Sequence, residues 1–154
     1  MKKIFLLILI FSLNILVLKA GEINFDVTEI EILEEGNLIK GYDGGKAITD
    51  NNIIIIANTF IYNKKTTILE AKGDVEINDQ NQDVIINADR IFYIKNIDKF
   101  YTIGKTTSKI SDDYFIESSD VNYFRSLNLM TSEKTAYITD SLENRYTVEN
   151  YKFE

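Results

Sequence analysis

From Glu22 to the end of the chain, short apolar runs alternate with clusters of turn-forming residues. The runs are rich in Ile, Val, Thr, Tyr and Phe, and the breaks between them are rich in Asn, Asp, Gly and Lys. No part of this region has convincing helical periodicity. We therefore predict an all-β domain. The clear strand-like runs are residues 53–62, 68–77, 84–94, 99–110, 114–124, 127–139 and 146–153, and weaker ones are 23–33, 37–42 and 46–49.

The strongest pattern in the sequence is an internal repeat of about 31 residues, which is typical of stacked structural units. Residues 57–62 (ANTFIY) recur as residues 88–93 (ADRIFY) and again as residues 119–124 (SDVNYF). A fourth copy begins at Tyr146, and the chain ends inside it. This alignment predicts two columns of equivalent residues: Ile54, Ile85 and Ile116, and Tyr62, Tyr93 and Phe124.

Each repeat is interpreted as two strands on either side of a bend. A lone hairpin cannot bury its apolar face, whereas stacked units form a continuous core between two layers. Ala57 and Ala88 fall on the opposite parity from the columns of Ile54 and Tyr62, so we expect a bulge or corner beside them. The sequence thus predicts an elongated sandwich or jelly-roll of two stacked antiparallel sheets. We expect its C-terminal edge to pair with a partner, or the sequence to be the front portion of a longer protein.

Residues 1–20 have the pattern of a Sec-type signal peptide. Lys2 and Lys3 precede an apolar run over residues 4–18, and Ala20 supplies a small residue at the cleavage site. An uncleaved membrane anchor is the alternative, but a span needs about 20 apolar residues. No Cys follows the run, which excludes a lipoprotein anchor. We expect export and a single domain over residues 21–154.

Composition removes several classes of function. The sequence contains no Cys, His, Trp or Pro. Disulfides, thiolate metal sites and a histidine base are therefore excluded. With no His to activate a hydroxyl and no G-x-S-x-G motif, we expect no enzymatic activity, cofactor or metal. The net charge of −7 argues against a nucleic-acid partner.

Two motifs resemble those of the OstA-like family. Residues 71–77 (AKGDVEI) resemble its A-x-G-[ND]-V-x-I element, and residues 85–93 (IINADRIFY) resemble its I-x-A-D-x-[IV]-x-Y element. The two occur in the family's order and spacing, and residues 56–62 (IANTFIY) repeat the second upstream. The resemblance covers about residues 24–153. The sequence departs from the pattern after Gly104, where Lys-Thr-Thr follows, and in the third copy, where Ser119 replaces Ala and Thr135 replaces Gly.

The resemblance implies a function in lipopolysaccharide transport and assembly at the outer membrane of Gram-negative bacteria. Members of the family are periplasmic β-jellyrolls that stack edge to edge by β-strand augmentation. They hold lipid A acyl chains between the two sheets while the sugars stay in water. Lipopolysaccharide, other jelly-rolls of the family and the outer membrane are therefore the implied partners. The chain looks more like the N-terminal domain of the outer-membrane assembly protein than like the complete soluble bridge protein.

Transport of this kind needs an apolar trough, because each exposed methylene group costs about 0.8 kcal/mol. The same apolar residues could equally form an ordinary core. A structural or adhesive extracytoplasmic β-repeat module is the alternative function, and a carbohydrate-binding domain is less favoured because Trp is absent. The predicted groove residues are Ile54, Phe60, Val75, Ile77, Ile85, Ile91 and Ile116.

Overall fold

The structure, a computed structural model, describes residues 23–154, so the predicted signal peptide lies outside the described residues. Of the described residues, 67% are in strands and 7% in short 3₁₀ turns, which confirms the predicted all-β fold. The strands are β1 (Asn24–Leu33), β2 (Leu38–Ile48), β3 (Ile54–Ala57), β4 (Thr59–Asn63), β5 (Ile68–Asp79), β6 (Val84–Ile94), β7 (Lys99–Ile110), β8 (Tyr114–Ser119), β9 (Asn122–Phe124), β10 (Leu129–Thr131), β11 (Ala136–Asp140), β12 (Arg145–Val148) and β13 (Lys152–Phe153).

The strands form one hydrogen-bonded antiparallel sheet with two halves. The first half follows the order β1-β2-β3-β5-β6-β7-β8-β11-β12. The second half contains β4 between β2 and β5, and β9 between β7 and β10, with β13 beyond β10. The long strands β1, β2, β5, β6 and β7 cross both halves, whereas the shorter strands belong to one half each.

Bulges bend the long strands where they pass from one half to the other. The pairing register shifts between Val27 and Glu29, between Lys72 and Val75, and between Ala88 and Arg90. A bulge adds a residue to one strand and bends it. The bulge predicted beside Ala88 is confirmed, and the equivalent bend after Ala57 separates β3 from β4.

The bend folds the sheet over, so that its two halves become two facing layers. The ring of Phe25, in the first half, lies 5.9 Å from that of Phe60 in the second. At the other end of the sheet, the ring of Tyr114 lies 5.3 Å from that of Phe153. These contacts would be impossible in a flat sheet, because a strand extends about 3.3 Å per residue. The fold is therefore jelly-roll-like, with two layers made from one continuous sheet.

Each layer carries an inner row of side chains that runs across neighbouring strands. Directly paired residues on neighbouring antiparallel strands point to the same face. The first inner row is Ala47, Ile55, Ile77, Ile86, Ser108, Ile116 and Ile138. The second inner row is Ile39, Tyr62, Leu69, Tyr93, Phe100, Tyr123, Met130 and Phe153. Together they supply half of the buried residues of the hydrophobic core.

The third repeat is offset by 30 residues and not by 31, which corrects the predicted columns. Tyr123, not Phe124, lies in the row of Tyr62 and Tyr93. Ile116 lies in the row of Ile86, on the opposite face from Ile85. The reason is a turn length: residues 80–83 join β5 to β6, whereas residues 111–113 join β7 to β8. The shorter turn shifts every later position by one residue. Because side chains alternate between the two faces of a strand, a shift of one residue moves each predicted position to the opposite face.

Candidate functional site

The space between the two layers holds five of the seven predicted groove residues. Phe60, Val75, Ile77, Ile91 and Ile116 are all buried in the core. The other two predicted residues, Ile54 and Ile85, lie opposite Asn78 in the outward-facing register and are half-buried.

The prediction from the sequence did not include several residues that line this interior. Ile55 and Ile86 are buried one position away from the predicted Ile54 and Ile85. In an unbroken apolar run such as residues 53–56, alternation gives no indication of which parity faces inward. For Leu69 and Phe100 a signal did exist, because they are 31 residues apart and both lie in the second inner row.

Stacked aromatic rings fill the middle of the second layer. The rings of Tyr93 and Phe100 stack with centroids 4.4 Å apart, and Phe100 stacks in turn on Tyr123 at 6.1 Å. Burial raises the pKa of both phenols, and neighbouring carboxylates raise it further. The tyrosines therefore stay neutral, and Tyr93 and Tyr123 donate hydrogen bonds to Asp98 and Asp79 respectively.

The interior is less apolar along β7 than along the strands before it. Thr102, Thr106 and Ser108 are all buried there. The Thr102 and Thr106 hydroxyls lie 2.7 Å apart and share a hydrogen bond. The Thr102 hydroxyl also accepts a hydrogen bond from the backbone N–H of Val121 and donates one to its carbonyl oxygen. The Ser108 hydroxyl has no hydrogen-bond partner among the described residues. The most apolar part of the interior therefore lies over β2 to β6.

Polar groups close the space between the layers where the strand ends meet, and we call this side the mouth. Asp79, at the end of β5 in the first layer, accepts hydrogen bonds from the Tyr123 hydroxyl at 3.1 Å and from Arg125 Nε at 2.7 Å. Arg125 also donates to Asp98 at 3.2 Å. The mouth is therefore closed by a mostly buried ion-pair network.

The interior is open at its two lateral ends. Within residues 23–154, β1 pairs with β2 alone and β12 pairs with β11 alone, so each leaves a free edge. On β1, Ile32 continues the second inner row and is 62% exposed, and Ile30, which pairs with Gly41 on the same inner face, is 49% exposed. On β12, Tyr146 continues the first inner row and is 48% exposed. Inward-facing apolar groups thus meet solvent at both edges.

Comparison with known proteins adds no assignment: no protein-family model and no curated protein matches the chain. The OstA-like resemblance therefore stays a prediction. Among residues 23–154, no helix is both long and apolar enough to cross a membrane.

Proposed function

We propose that the protein takes part in lipopolysaccharide transport and assembly, holding lipid A acyl chains between its two layers. The observation that carries this proposal is the pair of inner rows, which run across the sheet and end at two unpaired edges. A neighbouring jelly-roll can extend such an interior without a break in its apolar lining. The family resemblance of residues 71–77 and 85–93 supports the same function.

Acyl chains need continuous shelter during transport. Each methylene left in water costs about 0.8 kcal/mol, so a break between carriers would stop a lipid with several chains. Unpaired edge strands join by β-augmentation, which extends a sheet with main-chain hydrogen bonds. Exposed Ile30 and Ile32 at one edge and Tyr146 at the other then become buried at such junctions. The partners in this proposal are other jelly-rolls of the transport system.

The proposed location follows from the sequence. The Sec-type pattern of residues 1–20 supports a periplasmic protein, and the resemblance supports attachment to the outer membrane as the N-terminal domain of the assembly protein. No catalytic step is part of the proposal. The lipid is bound by shape and apolar contact, and released by transfer to the next carrier.

Photo-crosslinking at the β12 edge tests the proposal with a matched pair of positions. Tyr146 continues the first inner row, whereas Tyr137 on β11 points outward and is 58% exposed. Replacing either tyrosine with p-benzoylphenylalanine keeps the first ring and puts a benzoyl group in place of the hydroxyl, so the two exposed positions undergo the same change. In cells that make lipopolysaccharide, we expect ultraviolet light to give a lipopolysaccharide adduct at position 146 and not at 137.

An equal yield of adducts at positions 146 and 137 would indicate non-specific contact with lipid. Absence of adducts at position 146, and also at Phe25 on the opposite edge, would refute lipid transport and favour the adhesive or structural module. Phe25 suits this second measurement because it lies on the inner side of β1 and packs on Phe60 and Tyr62.

A further inference from the structure

We infer that the ion-pair network at the mouth is a latch, which holds the layers together in the empty protein and must release so that the layers can separate around acyl chains. The inference deepens the proposed function, and rests on it for the identity of the occupant. The latch consists of Asp79, Tyr123 and Arg125, with Asp98 behind them. In the closed form the protein's own side chains occupy the space between the layers.

The latch joins the two layers directly. Asp79 is the last residue of β5 in the first layer, whereas Tyr123 lies on β9 in the second layer and Arg125 begins the 3₁₀ turn that follows it. These partners are 44 and 46 residues from Asp79 along the chain. The Asp79 side chain is 1% exposed and that of Arg125 is 13% exposed. The pair is therefore shielded from water while the mouth is closed.

A second ion pair closes the same mouth beside the first. Lys95, in the 3₁₀ turn after β6, donates to Asp50 in the turn after β2, with 3.0 Å between the atoms. Asp98 accepts hydrogen bonds from Tyr93 and Arg125. It therefore holds the Arg125 guanidinium in place from the second layer. An apolar contact also joins the layers on this side, because Tyr114, whose ring packs on that of Phe153, lies in the same paired row as Asp79.

The chemistry of the latch makes it bistable. An ion pair is strong in a dry, low-dielectric site and weak once water surrounds it, so partial opening removes most of its attraction. One oxygen of Asp79, Oδ1, has no hydrogen-bond partner among the described residues. A buried carboxylate oxygen without a partner opposes closure, because opening would hydrate it. The closed state is therefore held by Arg125 and weakened by this oxygen.

Spin labels across the mouth test the latch. The sequence has no Cys, so Gln80→Cys and Ser126→Cys supply unique labelling sites on exposed turns of the two layers. Double electron–electron resonance then reports the width of the mouth, and binding is measured with lipid A presented in detergent micelles. In the parent protein, we expect one short distance that lengthens when lipid A binds.

The test variant is Asp79→Asn, and the matched control is Asp112→Asn, which removes the same charge from the exposed pair with Lys109. We expect Asp79→Asn to widen the mouth without lipid. An open state that makes up about 0.1–10% of the parent protein would become the main form in the variant. Lipid A should then associate about tenfold faster or more. The control should match the parent in both measurements. If Asp79→Asn does not fold, Asp98→Asn removes one bond from Arg125 and takes its place.

The outcomes separate the latch from the proposed function. A mouth distance and association rate equal to those of Asp112→Asn would overturn the latch, as would lipid binding to the parent without any change in distance. A mouth that widens in Asp79→Asn while lipid A binds neither protein would leave the latch standing and refute the proposed occupant.

Discussion

Two neighbouring isoleucines on β6 provide the sharpest test of which face forms the interior. Ile86 is buried in the first inner row, whereas Ile85 is half-buried on the opposite face. We expect Ile86→Ala to destabilise the protein far more than Ile85→Ala, because the first change leaves a cavity between the layers and the second leaves a dent at the surface.

The magnitude follows from the atoms removed. An Ile→Ala change deletes three carbons, and at about 0.8 kcal/mol for each the transfer cost is about 2.4 kcal/mol at a fully buried site. The cavity left at Ile86 adds to this, giving about 3–5 kcal/mol in total. Ile85 loses only the buried fraction of the transfer cost, about 1 kcal/mol.

Equilibrium urea unfolding followed by far-ultraviolet circular dichroism measures both variants. With a slope of about 2 kcal/mol per molar urea, Ile86→Ala should lower the unfolding midpoint by about 1.5–2.5 M and Ile85→Ala by about 0.5 M. Equal shifts, or a larger shift for Ile85→Ala, would refute the register assigned to β6. The slopes should agree with that of the parent protein, so that the midpoints report stability.

Two further predictions concern the backbone bend and the response to alkali. At Gly45, φ is +148° and an added Cβ would collide with the Asp26 carbonyl oxygen, whereas Gly44 has open space around it. Gly45→Ala should therefore lower the thermal midpoint more than Gly44→Ala, and the reverse order would contradict the close approach of β1 to the bend. Burial raises the pKa of Tyr151, so its neutral form is favoured in the folded state. That contribution to stability is present below the ordinary phenol pKa of about 10 and is lost as the pH rises above it. Tyr151→Phe should leave stability at pH 7 unchanged or slightly raised, because the hydroxyl has no hydrogen-bond partner among the described residues, and should make the loss above pH 10 shallower in urea titrations. An alkaline loss in Tyr151→Phe that is as steep as that of the parent, or steeper, would contradict a raised pKa for Tyr151 in the folded state.

Much of the fold was accessible from local sequence. β-branched and aromatic runs predicted the strands, and β6 and β7 have the predicted bounds. The short repeat spacing predicted stacked two-stranded units, and the conflicting parity at Ala88 predicted the bend. These features depend on neighbouring residues along the chain, whose preferences act before any distant contact forms.

The candidate site was accessible only in part. Phe60, Val75, Ile77, Ile91 and Ile116 were predicted at positions that prove to lie between the layers. The third repeat was misaligned by one residue, because the short turn at residues 111–113 can be recognised only when its strands are paired. The stack of Tyr93, Phe100 and Tyr123 depends on that same register.

By itself, the sequence determined that this protein is all-β, repetitive and bent within its repeats, because strand propensity, turn chemistry and period are properties of nearby residues. Only the tertiary structure decided which side of each strand faces inward. It also brought Asp79 to Arg125, 46 residues away along the chain. The physical reason is that strands pair without regard to sequence distance, so faces and cross-layer contacts are set when the bent sheet closes on itself.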